Sequence, residues 1–207
     1  MKNRALTLLL LALSWLLGAA SAEALPTGAS VLLYDSYAAE ARGDNEAAIS
    51  RMVTLLGTQP DDYLVHYRLG WLFSRVKKYK NAIDHYMRAA KAAPGSLEPW
   101  LALSLLNLDI GSYDVALGAS NALLSRDPKN YYGLLRSAAA LQALKRHEEA
   151  LAATDQALEL YPLDTLLLEK KGYLLRELGR VSESDQTLVQ LLLLSPQNAY
   201  AKSVLKK

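Results

Sequence analysis

The side chains that could carry acid–base, nucleophilic or metal chemistry are few and scattered. The histidines are His66, His85 and His147, and the sequence has no cysteine. Without cysteine there is neither a thiolate nucleophile nor a disulfide. A zinc site needs three or four converging donors, and no local cluster of His, Asp and Glu offers them, so no metal and no cofactor is expected. His66 and His147 stand where large side chains recur in the pattern described below, and both read as packing residues. Asp61 and Asp62 look like a paired acid, but they fall in a connection ahead of a helix, where Asp62 reads as a cap. Lys77, Lys78 and Lys80 read as a solvated basic turn. The sequence contains no G-x-x-x-x-G-K, G-x-S-x-G or H-E-x-x-H, the spacings that cradle phosphate, present a serine or ligate zinc. The chain therefore reads as a non-enzyme.

The elements that carry these residues are set by a period. Six of the seven prolines (Pro26, Pro60, Pro94, Pro128, Pro162 and Pro196) stand 34 residues apart. Such a period marks a helix–turn–helix unit that buries its apolar face only by stacking on its neighbours. With each proline at position 32, five repeats occupy residues 29–62, 63–96, 97–130, 131–164 and 165–198. Residues 23–28 lead in, and residues 199–207 begin a sixth unit as a short capping helix. No linker interrupts the series, which predicts one domain. Position 8 is always small (Ser36, Gly70, Ser104, Ala138, Gly172), and so is position 20 (Ala48, Ala82, Ala116, Ala150, Ser184). Small residues on facing helices let two backbones approach closely. Position 34 holds Asp62, Ser96, Asn130, Asp164 and Asn198, all favoured N-caps. The proline cannot continue a helix and so ends each unit. Gly43, Gly111 and Gly179 mark the turn at position 15, whereas Lys77 and Lys145 take that place in repeats two and four. The pattern predicts helix A over positions 2–14 and helix B over positions 17–30 of each repeat.

The first 22 residues stand apart. Lys2 and Arg4 precede an apolar run from Ala5 to Leu17, and Ala20 and Ala22 form an A-x-A end. This is the layout of a secretory signal peptide, residues 1–22, cleaved after Ala22; uncleaved, the segment would serve as an N-terminal membrane anchor. Removing Lys2 and Arg4 from 23 basic residues leaves 21, against 21 acidic ones, a net charge of zero for the mature chain. Neutrality excludes the basic surface that nucleic acid or an anionic membrane requires. The expected location is outside the cytoplasm, in the periplasm.

The repeats resemble the tetratricopeptide repeat (TPR) family. Repeat two carries Leu69-Gly70, Phe73, Tyr79, Ala82, Tyr86, Ala89 and Pro94, and repeat three carries Trp100, Leu103, Gly111, Tyr113, Ala116 and Pro128. The resemblance implies an all-α, right-handed superhelical solenoid of about five helix–turn–helix repeats, acting as a scaffold for a protein or peptide partner. It implies too that helix A lines a concave groove, which here places Tyr37, Tyr67, Trp71, Arg75, Leu105, Tyr132, Arg136, Tyr173 and Arg176 as candidate partner-binding residues. Exposed Tyr and Trp suit an interface; the other reading is that some of these rings fill the solenoid core. Relatives that clamp a peptide's terminal carboxylate use Lys, Asn, Asn, Lys and Arg at five places. Here those places hold Tyr67, Trp71, Ala102, Tyr132 and Arg136, so only Arg136 fits and that clamp is not expected. An envelope assembly or secretion system is the setting the family suggests.

Three departures carry expectations of their own. Position 7 is Asp35, Ser137 and Lys171 in repeats one, four and five. Asp35 and Lys171 fit the polar outer faces of end repeats, while Ser137 has no evident reason. The run Leu188 to Leu194 is apolar almost all round, so its far side needs a cover. Either the tail supplies it or a second copy does, which makes the chain a candidate homodimer.

Overall fold

The computed structural model describes residues 27–206. The predicted signal segment lies outside them. Among the described residues there are helices and turns but no strand. The helices are α1 (Thr27–Ala41), α2 (Asn45–Thr58), α3 (Tyr63–Arg75), α4 (Tyr79–Ala92), α5 (Glu98–Asp109), α6 (Tyr113–Leu124), α7 (Tyr131–Ala143), α8 (His147–Leu160), α9 (Thr165–Glu177), α10 (Val181–Leu194) and α11 (Ala199–Leu205). These are the A and B helices expected from the period. The widest differences are α1, which starts early at Thr27, and α6, which stops early at Leu124.

Where the period reads as one domain, the chain divides into two compact units within α2, one ending at Leu55 and one starting at Leu56. In the first unit, Ser36 on α1 is fully buried and its Oγ donates to the Ala48 carbonyl on α2 at 3.1 Å. The second unit is an all-α helical-repeat solenoid in which each helix packs against the next. Its close approaches fall where the small residues do. A Cβ on Gly70 would stand 2.6 Å from the Tyr86 ring, and a Cβ on Gly172 would run into Leu188. Ala82, Ala116, Ala150 and Ser184 are each 0% exposed. Ser184 Oγ donates to the Gly172 carbonyl at 2.8 Å, repeating the Ser36–Ala48 contact one position for another.

Four of the five expected caps form. Asp62, Asn130, Asp164 and Asn198 accept from backbone N–H groups in the first turn of α3, α7, α9 and α11. Ser96 does not cap. Helix α5 starts one residue further into its repeat than α3, α7 and α9 do, with Leu97 at the cap and Pro99 in the first turn. Ser96 Oγ, one residue before the cap, donates to the Glu98 carboxylate at 2.7 Å, a charge-assisted bond. The glycines at position 15 have φ of 73° to 81°, and Lys77 and Lys145 adopt the same left-handed conformation at φ 59° and 62°.

Lys171 does not face an end of the repeat series. Its Nζ pairs with Asp155 on α8 at 2.8 Å, so it ties repeat five to repeat four. Ser137 is 5% exposed, and nothing in the structure accounts for a hydroxyl there. Helix α11 covers one side of α10, where Leu188, Leu191 and Ala201 form a buried cluster with Tyr200, Val204 and Leu205 around it. On the other side Val189 and Leu193 remain 51% and 78% exposed.

Candidate binding site

A cavity of about 410 Å³ lies in the second unit. Its walls come from four helices. Tyr67, Trp71 and Ser74 come from α3, Tyr79 and Tyr86 from α4, Leu101, Ala102, Leu105, Leu106 and Asp109 from α5, and Arg136 from α7. The residues are brought together by the period. Tyr67 and Trp71 are four apart, as are Leu101 and Leu105, so each pair shares one helix face.

The floor is aromatic. Tyr86 is 3% exposed and lies against Gly70. Its ring centroid stands 5.6 Å from Tyr67, and Tyr67 stacks on Tyr63 at 5.9 Å. Burial pushes the Tyr86 hydroxyl far above its ordinary value and raises Tyr67 too, with Tyr63 and Glu98 adding to the rise at Tyr67. Both phenols stay neutral over the physiological range, so the floor offers rings and hydroxyls and no charge. The rim is open: Trp71 is 44% exposed and Leu105 46%. Arg75 sits over the Trp71 ring at 5.8 Å, within cation–π range.

Arg136 closes one side and is half-buried. Its Nη1 donates to the Leu101 carbonyl and to Ser104 Oγ, which fastens α7 to α5. Its guanidinium lies over the Tyr132 ring at 5.1 Å. Burial lowers its pKa, and Tyr132 and Asp109 oppose that shift. A guanidinium remains charged under such a shift, so Arg136 and Asp109 bring one charge of each sign to an otherwise apolar site.

Of the residues singled out from the sequence, Tyr67, Trp71, Leu105 and Arg136 line this cavity, with Arg75 and Tyr132 in contact with its lining. Tyr173 lines a second cavity of about 170 Å³ with Gln142, Leu166, Glu169, Lys170 and Tyr200. There the Lys170 amine donates to Gln142 Oε1 at 2.9 Å, and burial lowers its pKa. Arg176 pairs with Asp185 on α10 and is turned toward that helix. Tyr37 belongs to the first unit, where it is 49% exposed. Of the candidate aromatic residues, Tyr37, Trp71 and Tyr132 are exposed, while Tyr67 and Tyr173 are partly buried.

Sequence reasoning missed Tyr79 and Tyr86, because it assigned the wall to helix A alone. The signal was present in Gly70. Where position 8 lacks a side chain, a ring from helix B can fill the space and reach the wall. It also missed the tyrosines that open repeats two and four. Tyr131 OH donates to Asp164 at 2.9 Å, 33 residues on, and the Tyr63 hydroxyl, 3.1 Å from Ser96 Oγ, donates to the Glu98 carboxylate at 3.4 Å. Burial, then the Asp164 bond, pushes the Tyr131 hydroxyl up to about 12.

Among the described residues no group of three or more His, Cys, Asp or Glu is placed to hold a metal, and no helix is long and apolar enough to cross a membrane. The cavity offers aromatic surface and two charges of opposite sign, set in a fold of helical repeats that is the fold of a protein-interaction scaffold. The chain belongs to the tetratricopeptide repeat family, whose model matches residues 36–96 and 101–165. A TPR repeat-containing protein of Rhizobium etli is 22% identical over 149 residues, covering 71% of this chain and 73% of that one. The human protein O-mannosyl-transferase TMTC1 is 32% identical over 142 residues, which is 64% of this chain but 16% of TMTC1. Among solved structures, MamA from Desulfovibrio magneticus RS-1 superposes with a TM-score of 0.75 at 16% identity, covering 85% of this chain and 99% of MamA. A tetratricopeptide repeat protein from Parabacteroides merdae gives 0.77 at 19% identity, over 86% of this chain and 71% of that one. These likenesses are of fold.

Proposed function

We propose that this protein is a non-enzymatic scaffold whose second unit takes a short apolar or aromatic segment of a protein partner into the Tyr67–Trp71–Leu105–Arg136 cavity. The observation that carries the reading is an exposed Trp71 above a buried aromatic floor. A volume of about 410 Å³ suits one or two large side chains of a partner and no more. The walls are set by helix packing, so little ordering entropy is lost on docking. Arg136 and Asp109 fix orientation without giving the site a net charge. The test is capture of a partner from an extract by wild type and by Trp71→Ala. An aromatic anchor of this kind is expected to be worth about 1–2 kcal/mol, a loss of affinity of about fivefold to thirtyfold. Trp71 is 44% exposed, so the melting temperature should hardly move.

The proposed setting is the bacterial envelope, with residues 1–22 removed on export and the mature chain periplasmic. The basic start, short apolar run and A-x-A end support it. N-terminal sequencing of the protein recovered from cells checks it: a chain starting at Glu23 agrees, and one starting at Met1 does not.

A second reading is favoured by one observation, the exposure of Val189, Leu193 and Leu194 on α10. In that reading the chain self-associates through this face as a structural subunit. Sedimentation at micromolar concentration separates the two, since a strict monomer removes the dimer.

A further inference from the structure

The second unit holds a buried pair of titratable rings that the binding cavity does not use. His66 on α3 is 2% exposed. Its Nε2 lies 2.8 Å from the Pro60 carbonyl oxygen, and its Nδ1 lies 3.0 Å from Nδ1 of His85 on α4. A carbonyl oxygen only accepts, so Nε2 of His66 carries the proton. A neutral His66 then has only a lone pair at Nδ1, and His85 must donate from its own Nδ1. The heavy-atom positions thus fix both tautomers at neutral pH. They leave Nε2 of His85 as the bare nitrogen of the pair. The His85 ring lies nearly parallel to Phe73, with centroids 5.4 Å apart and planes at 12°.

Two protons enter this pair on different terms. The first can go to Nε2 of His85, and the bond between the rings survives. The second has no free position, because the last lone pair lies inside that bond. Two imidazolium rings would face each other with an N–H on each side of a 3.0 Å gap, which repels and leaves both donors without an acceptor.

The surroundings resist charge on the pair. Burial is the largest influence lowering the His85 pKa, with His66 next, while Asp84 raises it and Arg88 lowers it. Asp84 and Arg88, both on α4, are bonded to each other at 2.9 Å and act on His85 in opposite directions. Asp61 from the preceding turn and Lys91 from α4 line a cavity of about 310 Å³ together with His66 and Arg88. Helix α5 also packs against α4 and adds no charge felt at His85.

We propose that the His66–His85 pair is an acid-release latch: intact at neutral pH, it holds the Pro60 turn to α3 and α3 to α4, and double protonation opens it. Burial holds the His85 pKa below its ordinary 6.5, so that ring's contribution to stability is complete above that value and is lost as pH falls through the folded one. This first proton leaves the bond between the rings in place, and opening comes only with the second. Tyr86 follows His85 in the chain and lines the binding cavity, so release also loosens one wall of that site. This last consequence rests on the binding reading, and the latch does not.

The test is hydrogen exchange of the whole protein at about pH 7.5 and about pH 5.5, corrected for intrinsic rates. Wild-type protection over residues 59–66 and 79–92 is expected to be lost at the lower pH, while α9 keeps its protection. In the double variant His66→Leu, His85→Phe, the pH dependence of those segments should disappear. Nitrogen-15 spectra of the wild-type rings need no variant, and at neutral pH they should show opposite tautomers, Nε2–H for His66 and Nδ1–H for His85. Equal protection at both pH values, or two rings titrating independently as tautomer mixtures, overturns the latch. No partner enters the measurement, so its failure is distinct from failure of the binding site.

Discussion

Lys77 and Lys145 sit in the backbone conformation that Gly43, Gly111 and Gly179 supply elsewhere in the series. A Cβ in the left-handed region crowds the next carbonyl at a cost of about 1–2 kcal/mol. Glycine removes that crowding but gives up about 0.5–1 kcal/mol of chain entropy. Lys77→Gly and Lys145→Gly are each expected to stabilise by about 0.5 kcal/mol, read as a higher urea midpoint with an unchanged slope. The reverse change, Gly111→Ala at φ 78°, should destabilise by about 1 kcal/mol. Gly70 is constrained by contact instead. An added Cβ would stand 2.6 Å from the Tyr86 ring, which is 3% exposed and has nowhere to retreat. Gly70→Ala should cost about 1–3 kcal/mol and distort the cavity floor, whereas Gly95→Ala, with nothing within 4 Å, should be nearly silent.

At the scale of the element, one position number covers two kinds of helix start. Asn130 Oδ1 accepts from the Gly133 N–H at 3.1 Å, and Asn130→Ala should cost about 1 kcal/mol. Ser96 makes no such bond, so Ser96→Ala should leave α5 in place. Its effect should appear at Glu98, whose carboxyl is held below its ordinary range first by the Ser96 hydroxyl. A depressed carboxyl stabilises the fold above the ordinary carboxylate range and loses that contribution as pH falls through the folded value. Ser96→Ala should therefore raise the Glu98 pKa toward its ordinary value in a carbon-13 NMR titration. The contrast shows what the sequence can carry. Proline boundaries, caps and left-handed turns are local chemistry, and the 34-residue ruler located them along the chain. Ser96 was misread because α5 begins at Glu98, which puts Leu97 and not Ser96 at the cap. Lys171 was misread because its partner Asp155 lies on another helix, and no spacing rule announces an ion pair across a repeat boundary.

At the scale of the whole molecule, two apolar surfaces compete for the role of interface. Of the residues that the family resemblance placed on the groove side of helix A, Tyr67, Trp71 and Leu105 line the cavity. The floor was not legible in the sequence, because Tyr79 and Tyr86 reach it only through the way α4 packs against a glycine. The rival surface is on α10, where Leu193 is 78% exposed and contributes nothing visible to the core. A charge there should leave stability within about 0.5 kcal/mol of wild type, as at other exposed sites, while making any contact between copies through this face costly to form. Leu193→Glu and Trp71→Ala thus form a crossed pair, read by sedimentation and by partner capture. The binding-site reading expects Trp71→Ala to lose capture with its sedimentation unchanged, and Leu193→Glu to change neither. The opposite pattern, with Leu193→Glu converting a dimer to a monomer and Trp71→Ala inert, would move the working surface from the aromatic cavity to α10. A groove side chain and an end-face side chain share no contact, so their effects should add, and the double variant should show the sum of the two single ones.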